Sequence, residues 1–512
     1  MNTGKTGTVY LVGSGPGDDR LLTLRALDLL KTADTVVYDN LVNSRLIENC
    51  CPAGCERIYV GKSGRHHTME QDDINALLVE KALEGRDVVR LKGGDPFIFG
   101  RGGEEALVLS GKNIPFEVVS GISSAYAVPA CAGIPVTHRG FASSVAFITG
   151  HEDPEKETSD IHWDRIATGI QTLVFLMGVK NLPHIAKKLI ENGRSGDTPV
   201  AVIQNGSYPN QRTVSGPLSD ITGIVRESGI RPPSIIVVGE VVSLRNKINW
   251  FESRPLFGRS IIVTRAREQA SKLVSQLAGL GAEVIEVPSI AIMPPDDTGP
   301  LYSAINRIKS YDWIIFTSAN GVSSFYRYLS EAGLDSRSLC NAKICAIGPA
   351  TAEELGMRGI SPDLTPVRYI SSAITEALSK SDEIAGKSFL LPRADIAPDT
   401  LRNDLLNLNA QSVDDVTVYR TVKQDINTES DAAEIIRQGK TDLVTFTSSS
   451  TVTNFHSILE QVGGPAPENF TCAAIGPVTA ERARELGFNV AVTADEYTVD
   501  GLVRAILEEW SG

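Results

Sequence analysis

Short apolar runs that end in glycine or in small polar residues recur along the chain, and stretches with helical character lie between them. This alternation is typical of an α/β protein, in which strands are followed by helices. In the first half, the pattern predicts strands at VYLVGSG, TVVYD, DVVRLKGG, FEVV, VAFITG, TLVFLMG, PVAVIQNG and SIIVVGEV. Because open α/β sheets bind ligands beyond the carboxyl ends of their strands, these glycine-rich ends are the first candidate sites.

The second half of the chain repeats its own pattern. Three motifs each have a counterpart further along the chain: TRA is matched by PRA, FTSANGV by FTSSSTV, and AIGPATA by AIGPVTA. The matched positions are Arg265 with Arg393, Thr317 with Thr447, and Gly348 with Gly476. Since the intervals are 128, 130 and 128 residues, we expect two copies of one α/β unit, with parallel sheets covered by helices and a cleft between the copies.

The boundary between the two halves is predicted near residues 244–260, where strand-like text gives way to a mixed polar and aromatic segment. We expect Trp250 and Phe251 in this segment to pack against a domain. The predicted division is a first domain over residues 1–250, a linker over 251–258 and a second half over 259–512. A chain of 512 residues also exceeds what one hydrophobic core usually organises, so several folding units are expected.

Composition and cysteine spacing argue against several classes of protein. The seven cysteines are odd in number and form no CxxC pair, and the cluster Cys50, Cys51, Cys55 has no further ligand at metal-binding spacing. We therefore expect no disulfide framework, no metal site and a reducing cytoplasm. No apolar run approaches the ~18 residues of a membrane span, so no membrane partner is expected. A net charge of −13 argues against a nucleic-acid partner.

The first glycine-rich turn, GSGPGDD, differs from a dinucleotide-binding loop. Gly13 and Gly15 fit the pattern G-x-G-x-x-G, but Asp18 occupies the third position. Together with Asp19 it would place negative charge where a pyrophosphate docks, which argues against a nicotinamide oxidoreductase. We expect the turn to line a site for a ligand without phosphates, with a plain strand-to-helix turn as the alternative.

The first half carries a set of motifs in a specific order: VYLVGSGPGDDRLLTLRA, VVYDNLV, VVRLKGGDPFIFGRGGEEA, GIPVTHRG and PVAVIQNGS. Over about residues 7–250 it resembles the uroporphyrinogen-III C-methyltransferases of the tetrapyrrole methylase family. The resemblance implies a fold of two α/β subdomains and a homodimer. It also implies transfer of two methyl groups from S-adenosylmethionine to C2 and C7 of uroporphyrinogen III, giving precorrin-2, without a metal.

The same resemblance implies site residues. The expected contacts to S-adenosylmethionine are Pro16, Gly93, Gly94, Asp95, Ile98, Ser123, Ser124, Met177 and Gly206. Asp39 and Lys62 match a proton acceptor and a proton donor, with a helix cap and a surface lysine as the alternatives. Arg101 and Arg139 are expected to bind substrate carboxylates, and Glu104 to hold Arg101 or to bind a pyrrole N–H.

The second half, residues 259–512, resembles uroporphyrinogen-III synthase through its paired strand ends, its two AIGP turns and the motif VYRT. The resemblance implies closure of hydroxymethylbilane with inversion of its last pyrrole, without a cofactor. It also implies a first domain of about residues 259–293 with 421–512, and a second, inserted domain of about 294–420. Tyr419 is the candidate acid for loss of the hydroxyl group. The expected substrate contacts are Arg265, Thr317, Ser318, Asn320, Arg393, Thr447, Ser448 and Ser449.

Several alternatives remain at this point. Arg265 and Arg393 are as well explained by structural salt bridges. The second half could bind a tetrapyrrole without turning it over, or the first half could methylate a later corrin intermediate. The sequence is compatible with siroheme, cobalamin or another end product.

Overall fold

The computed structural model describes residues 6–61, 69–151, 160–265, 267–368 and 370–510. The chain divides into two compact units. The first unit comprises the chain up to residue 260 together with 276–283 and the chain from 510, and the second unit comprises 261–275 and 284–509.

The first unit contains two sheets and the helices that cover them. Its strands are β1 (Val9–Gly13), β2 (Thr35–Tyr38), β3 (Glu56–Tyr59), β4 (Val88–Lys92), β5 (Phe116–Val119), β6 (Val145–Thr149), β7 (Thr172–Leu176), β8 (Pro199–Gln204), β9 (Arg212–Pro217) and β10 (Ser234–Val238). Its helices are α1 (Leu24–Thr32), α2 (Ser44–Cys50), α3 (Gln71–Leu83), α4 (Gly102–Gly111), α5 (Ser124–Cys131), α6 (Trp163–Gly169), α7 (Leu182–Glu191), α8 (Ile221–Ser228) and α9 (Arg245–Ile248).

The two sheets of the first unit differ in strand direction. The first has the order β3-β2-β4-β1-β5 and is parallel throughout. The second has the order β6-β7-β10-β8-β9, in which only the β6–β7 pair is parallel. The strands predicted from apolar runs are present, whereas β3 and β9 are additional edge strands in which no residue is fully buried.

Burial explains why the central strands were predictable. The apolar side chains of β1 and β4 are almost fully buried, since helices cover both faces of a parallel sheet. Two charged residues, Arg90 and Lys92, interrupt the apolar run of β4 and are buried as well. Charged side chains are rarely buried without partners, so these two mark a special part of the sheet.

The segment after α9 belongs to the first unit. Phe251 is buried, and the indole N–H of Trp250 donates to the carbonyl of Ala130 at 3.0 Å. Glu252 accepts hydrogen bonds from the side chains of Gln211, Thr213 and Arg245. The expectation that both aromatic residues pack against a domain agrees with these contacts.

The second unit continues the chain with two further sheets. The remaining strands are β11 (Ser260–Val263), β12 (Glu283–Glu286), β13 (Ile290–Met293), β14 (Trp313–Phe316), β15 (Lys343–Ala346), β16 (Ser388–Ala394), β17 (Ser412–Lys423), β18 (Leu443–Phe446), β19 (Thr471–Ala474) and β20 (Asn489–Thr493). The remaining helices are α10 (Arg267–Gly279), α11 (Gly299–Asn306), α12 (Ala319–Glu331), α13 (Pro349–Gly356), α14 (Ser371–Lys380), α15 (Thr400–Asn407), α16 (Asp431–Arg437), α17 (Ser449–Val462), α18 (Pro477–Glu485) and α19 (Val499–Trp510).

The internal repeat is visible in these elements, but neither copy builds a sheet by itself. One sheet has the order β12-β11-β18-β19-β20 and the other β13-β17-β16-β14-β15. Strand β11 of the first copy pairs with β18 of the second, and β16 of the second copy pairs with β14 of the first. The copies therefore exchange strands between the sheets. The sheets depart from the expected parallel arrangement at β13, which runs antiparallel to β17.

Within the described part of the chain, no helix combines the length and the apolar character that crossing a membrane requires. All seven cysteines are free thiols.

Candidate functional site

The carboxyl ends of the first parallel sheet gather several of the predicted residues. Because β1, β2, β4 and β5 run in the same direction, the loops that follow them lie at one edge of the sheet. These loops carry Pro16, Asp39, Gly93, Gly94, Asp95, Ser123 and Ser124. The glycine-rich ends of β1 and β4, which were predicted as candidate sites, lie at this edge.

Backbone contacts between glycines hold three of these loops together. The amide of Gly15 donates to the carbonyl of Gly94 at 3.2 Å, and the amide of Gly94 donates to the carbonyl of Gly15 at 2.7 Å. A Cβ at Gly121 would lie 2.1 Å from the Gly94 carbonyl oxygen, and one at Gly13 would lie 2.5 Å from the Cα of Gly121. The loops after β1, β4 and β5 thus pack backbone against backbone, which only glycine permits.

Asp95 fixes the same loops through its side chain. One carboxylate oxygen accepts the amide of Phe97 at 2.8 Å, and the other accepts the amide of Gly121 at 3.0 Å. Each carboxylate oxygen has a second lone pair that a ligand group could use. Asp95 is therefore a structural link between the loops after β4 and β5 as well as a candidate ligand contact.

Strained backbone occurs in the loop after β4 at this edge and in two loops of the second sheet. Five residues other than glycine have positive φ angles on the loops after β4, β7 and β8. They are Phe99 (54°), Arg101 (59°), Met177 (58°), Asn205 (49°) and Ser207 (71°). Such conformations are unfavourable for residues with a Cβ and cluster at functional sites. Three predicted residues lie in or beside them: Met177, whose side chain is 52% exposed, Ile98 and Gly206.

The loop after β8 reaches the loop after β1. The hydroxyl of Ser207 accepts the amide of Asp18 at 3.1 Å. A Cβ at Gly17 would lie 2.2 Å from the ring of Tyr208, so the two loops are in direct contact. Ser207 and Tyr208 were missed by the sequence reasoning, and their adjacency to Gly206 in QNGSY was the available indication.

Asp39 follows β2 and does not cap a helix. Its Oδ1 accepts the amide of Leu41 at 3.1 Å, and its Oδ2 accepts an N–H of Arg90 at 3.3 Å. Asn43 is the residue that caps α2, so the helix-cap alternative for Asp39 is wrong. Lys62, the predicted proton donor, lies outside the described residues.

A buried group of charged residues lies behind Asp39. Arg90 and Lys92 of β4 both donate to Oε1 of Glu105 in α4, at 3.1 and 2.8 Å. Desolvation and the neighbouring Arg90 charge lower the pKa of Lys92. The sequence reasoning missed all three residues, although two cationic letters in the apolar run VVRLK were a visible anomaly.

Arg101 and Glu104 form an exposed pair at the start of α4. Glu104 accepts Nε and Nη2 of Arg101 at 2.9 and 2.7 Å. This bidentate contact raises the pKa of Arg101 and lowers the pKa of Glu104. The proposed role of Glu104 in holding Arg101 is compatible with this geometry. Arg139 is exposed on the loop between α5 and β6.

In the second unit, Tyr419 meets two of the predicted residues at the start of α12. Its hydroxyl lies 3.2 Å from Oγ of Ser318 and also has a hydrogen bond with Asn320. The tyrosine is 7% exposed, and desolvation raises its pKa. Ser318 is the N-cap of α12 and accepts the amide of Gly321 at 3.0 Å. The preceding residue, Thr317, directly follows β14.

A β-bulge directs Tyr419 toward this cluster. In the pairing of β16 with β17, Arg393 is opposite Thr417 and Ala394 is opposite Tyr419, so Val418 is the extra residue. Bulges of this kind redirect side chains near functional sites. Successive side chains of a regular strand point to opposite faces of the sheet. Without the bulge, Tyr419 would therefore lie on the opposite face from Val418.

The equivalent residues of the other copy lie at the start of α17. Ser448 is its N-cap and forms a capping box with Thr451, and Ser449 begins the helix. Thr447 directly follows β18. Thr447 follows a strand of the other sheet from the one that contains Tyr419.

Arg393 is part of a structural ion pair. It is 3% exposed, its Nε donates to Oδ1 of Asp415 at 3.0 Å, its Nη2 contacts Oδ2 of the same carboxylate, and its Nη1 donates to the carbonyl of Pro398 at 2.9 Å. These contacts agree with the alternative of a structural salt bridge for Arg393. Arg265 follows β11, and desolvation lowers its pKa.

The described residues contain no group of three or more His, Cys, Asp or Glu side chains that could hold a metal ion. Cys51 is buried, and desolvation raises the pKa of its thiol to about 12. This thiol therefore packs as a small apolar side chain.

Comparisons with known proteins find a different family in each half of the chain. Residues 8–222 match the family of tetrapyrrole (corrin/porphyrin) methylases, and residues 271–504 match uroporphyrinogen-III synthase HemD. A porphyrin biosynthesis protein HemD from Ruminiclostridium josui is 40% identical over 510 residues, which cover 99% of each chain.

Two further relatives cover the first half. An S-adenosyl-L-methionine-dependent uroporphyrinogen III methyltransferase from Methanosarcina barkeri is 53% identical over 48% of this chain and 95% of its own length. The crystal structure of uroporphyrin-III C-methyl transferase from Thermus thermophilus complexed with S-adenyl homocysteine is 40% identical, with a TM-score of 0.40, and covers 46% of this chain and 93% of that chain. The full-length relative and the two family matches together assign this chain to the proteins in which a tetrapyrrole methylase is joined to a uroporphyrinogen-III synthase.

Proposed function

We propose that the chain is a bifunctional enzyme of tetrapyrrole biosynthesis. Its second half closes hydroxymethylbilane to uroporphyrinogen III with inversion of the last pyrrole. Its first half transfers two methyl groups from S-adenosylmethionine to C2 and C7 of that product, which gives precorrin-2.

One observation carries this proposal: a single chain contains matches to both families along its length. The product of a uroporphyrinogen-III synthase is the substrate of a uroporphyrinogen-III methyltransferase. Joining them in one polypeptide therefore has a direct chemical rationale.

The loops at the edge of the first parallel sheet fit a methyl donor. An added Cβ at Gly94 would lie in van der Waals contact with the backbone of Ser124, at 3.7 Å, so the loop after β4 approaches the start of α5 closely there. S-adenosylmethionine, when bound there, supplies a methyl group on a positively charged sulfur. Pro16, Gly93 and Gly94 would bind it through backbone groups, and the exposed Met177 side chain would contact it from the loop after β7.

Methyl transfer to a pyrrole carbon requires alignment and removal of a proton. Positioning two reactants for in-line attack accounts for much of the acceleration in such reactions. Asp39 would accept the proton, since both its oxygens keep a free lone pair beside their bonds to Leu41 and Arg90. This assignment rests on the position of Asp39 in the family motif and on its place at the sheet edge.

Substrate carboxylates need local positive charge, because the chain as a whole carries a net charge of −13. Arg101 is exposed beside the loop after β4, and its guanidinium is oriented by Glu104. Arginine binds carboxylates through two parallel hydrogen bonds. We assign Arg101 and Arg139 to the carboxylates of the substrate on this basis.

Ring closure would use the Tyr419 cluster. The C–O bond to the terminal hydroxyl breaks, Tyr419 donates its proton to the leaving oxygen, and water departs. The side chains of Ser318 and Asn320 can donate hydrogen bonds to the phenolate that remains. The N-termini of α12 and α17 offer backbone N–H groups for the carboxylates of the linear substrate.

A coupled assay tests both activities. The purified chain receives hydroxymethylbilane and S-adenosylmethionine without oxygen, and the tetrapyrroles are analysed by mass and isomer type. We expect a doubly methylated type III product, whereas spontaneous closure gives mainly the type I isomer. An Asp39→Asn variant controls for the first half, because it should accumulate unmethylated uroporphyrinogen III.

Two results would contradict the proposal. Ring closure at the spontaneous isomer ratio, with methylation of added uroporphyrinogen III, would make the second half a binding module. Absence of methylation of uroporphyrinogen III, with methylation of a more advanced corrin, would move the first half to a later step.

A further inference from the structure

Glu105 lies at the centre of a buried charged cluster that connects to Asp39. Its Oε1 accepts Arg90 Nε at 3.1 Å, Lys92 Nζ at 2.8 Å and Gln71 Nε2 at 3.2 Å. The side chains of Glu105, Arg90 and Lys92 are 0%, 4% and 5% exposed. With Asp39 included, the cluster contains two cations and two carboxylates, so its net charge is zero.

Arg90 is hydrogen-bonded to both carboxylates. Its Nε binds Glu105, and its Nη2 donates to Asp39 Oδ2 at 3.3 Å. Its Nη1 donates to the carbonyls of Val37 and Leu91 at 3.3 and 3.2 Å. The Nε and Nη2 groups form the side of the guanidinium that usually binds one carboxylate with two parallel bonds. Here two different carboxylates share that side.

Packing alone does not account for this arrangement. Removing several charges from water is unfavourable, and well-packed apolar residues often stabilise a protein as much as a buried ion pair does. Oε2 of Glu105 is buried and has no hydrogen-bond partner among the residues that the structure describes. Buried polar atoms are nearly always paired, so a function for this carboxylate is indicated.

We propose that Glu105 is a positioning residue for methyl transfer, which holds Arg90 so that only one of its N–H groups reaches Asp39. The inference rests on the proposed function of Asp39 as proton acceptor. By occupying Arg90 Nε, Glu105 prevents a bidentate Arg90–Asp39 pair. A carboxylate held by a bidentate arginine is a weaker base, and its oxygens are turned toward the arginine.

The charges around Asp39 dictate the design of the test. Arg90 and Lys92 face it from β4, and Glu105 faces both cations from α4. Loss of Glu105 alone would leave two buried cations opposite one carboxylate. The double variants Glu105→Ala/Lys92→Met and Glu105→Gln/Lys92→Met keep the cluster neutral, and only the glutamine variant keeps an acceptor for Arg90 Nε.

Methyl transfer to uroporphyrinogen III is measured for both double variants. We expect the alanine variant to lose kcat by about tenfold or more, with unchanged KM and unchanged binding of S-adenosylmethionine. The glutamine variant should recover most of the lost kcat.

Arg90→Lys provides a second measurement that does not depend on folding of the double variants. A lysine keeps the charge but cannot contact both carboxylates in the same way. We expect a similar loss of kcat with unchanged KM and unchanged binding of S-adenosylmethionine, which a general loss of stability would not produce.

The Glu56→Ala variant is the control for losing an ion-paired carboxylate. Glu56 binds Lys81 and Arg86 at the amino end of β3, away from the loops of the site, so kcat should not change. Equal kcat for the alanine and glutamine double variants would overturn the inference. If the wild-type protein showed no methyl transfer, that result would instead contradict the proposed function.

Discussion

Gly15 and Gly94 exchange two backbone hydrogen bonds, of 3.2 and 2.7 Å, between the loops that follow β1 and β4. Strands β1 and β4 are parallel neighbours, so this exchange extends their contact beyond the sheet. Gly121, in the loop after β5, packs against the backbone of Gly94. The motifs GSGPG and GGDP are separated by about eighty residues in the chain, and this contact makes them one site.

Replacement of Gly121 by alanine should disrupt that contact. The new Cβ would lie 2.1 Å from the Gly94 carbonyl oxygen, so a loop must move. We expect the Kd for S-adenosylmethionine, measured by calorimetry, to rise about tenfold or more, which corresponds to about 1.4 kcal/mol. Gly103→Ala is the control, since its Cβ would have open space in the described structure and alanine favours the α4 helix. Equal binding by both variants would refute the packing argument.

Removal of Arg101 should weaken substrate binding and leave stability intact. Arg101 and Glu104 are both more than half exposed, and such pairs contribute less than about 1 kcal/mol. We expect Arg101→Ala to raise KM for uroporphyrinogen III about tenfold, through loss of a bidentate carboxylate contact. Arg25→Ala removes another exposed bidentate pair, with Glu117 of β5, and should change neither KM nor the melting temperature. An unchanged KM in Arg101→Ala would exclude Arg101 as a substrate contact.

Tyr419→Phe should slow ring closure without unfolding the second unit. The ring remains in the core, and only the hydroxyl beside Ser318 is lost. We expect the rate of type III formation to fall by about a hundredfold, as for removal of a general acid. Tyr311→Phe removes another buried hydroxyl, bonded to Asp414, and should affect stability alone. Wild-type ring closure by Tyr419→Phe would assign the proton transfer elsewhere.

The pH dependence of ring closure follows from the same residue. Desolvation raises the pKa of Tyr419, so the proton that it donates is retained beyond the ordinary tyrosine range. The folded state favours the protonated form. This contribution to stability is therefore complete below the unfolded-state pKa of tyrosine and is lost as the pH rises through the folded-state value. We expect no basic limb in the enzymatic rate below the ordinary tyrosine range, and a limb at neutral pH would contradict the assignment.

Loss of Arg393 should reduce stability rather than substrate affinity. Arg393→Met leaves the Asp415 carboxylate without its partner, and breaking such a pair costs about 3–5 kcal/mol. Because Asp415 keeps partial exposure, we expect the lower end of that range in chemical denaturation. The double variant Arg393→Met/Asp415→Asn should recover more than half of the loss, with a KM for hydroxymethylbilane within about twofold of wild type. A tenfold increase of that KM would instead support Arg393 as a contact to the substrate.

Strands with an apolar run could be predicted from the sequence, including the edge strands β5 and β6, whereas the edge strands β3 and β9 could not. Strands β1, β7 and β10 are buried on both faces and therefore appear as continuous apolar runs. Strands β3 and β9 lie at sheet edges, where half of their residues face away from the core and the apolar pattern weakens. The repeat was visible in the second half, but which copy pairs with which depends on contacts between distant segments.

The sequence by itself determined the α/β class, the internal repeat, the glycine-rich strand ends and the resemblance to two enzyme families. These are local features, since strand patterns and motifs depend on neighbouring residues in the chain. Only the tertiary structure decided that Arg393 pairs with Asp415, that a bulge directs Tyr419 toward Ser318, and that Arg90 lies between Asp39 and Glu105. Each of these relationships joins residues from different elements, and desolvation of the charged groups favours their pairing only after those elements have packed together.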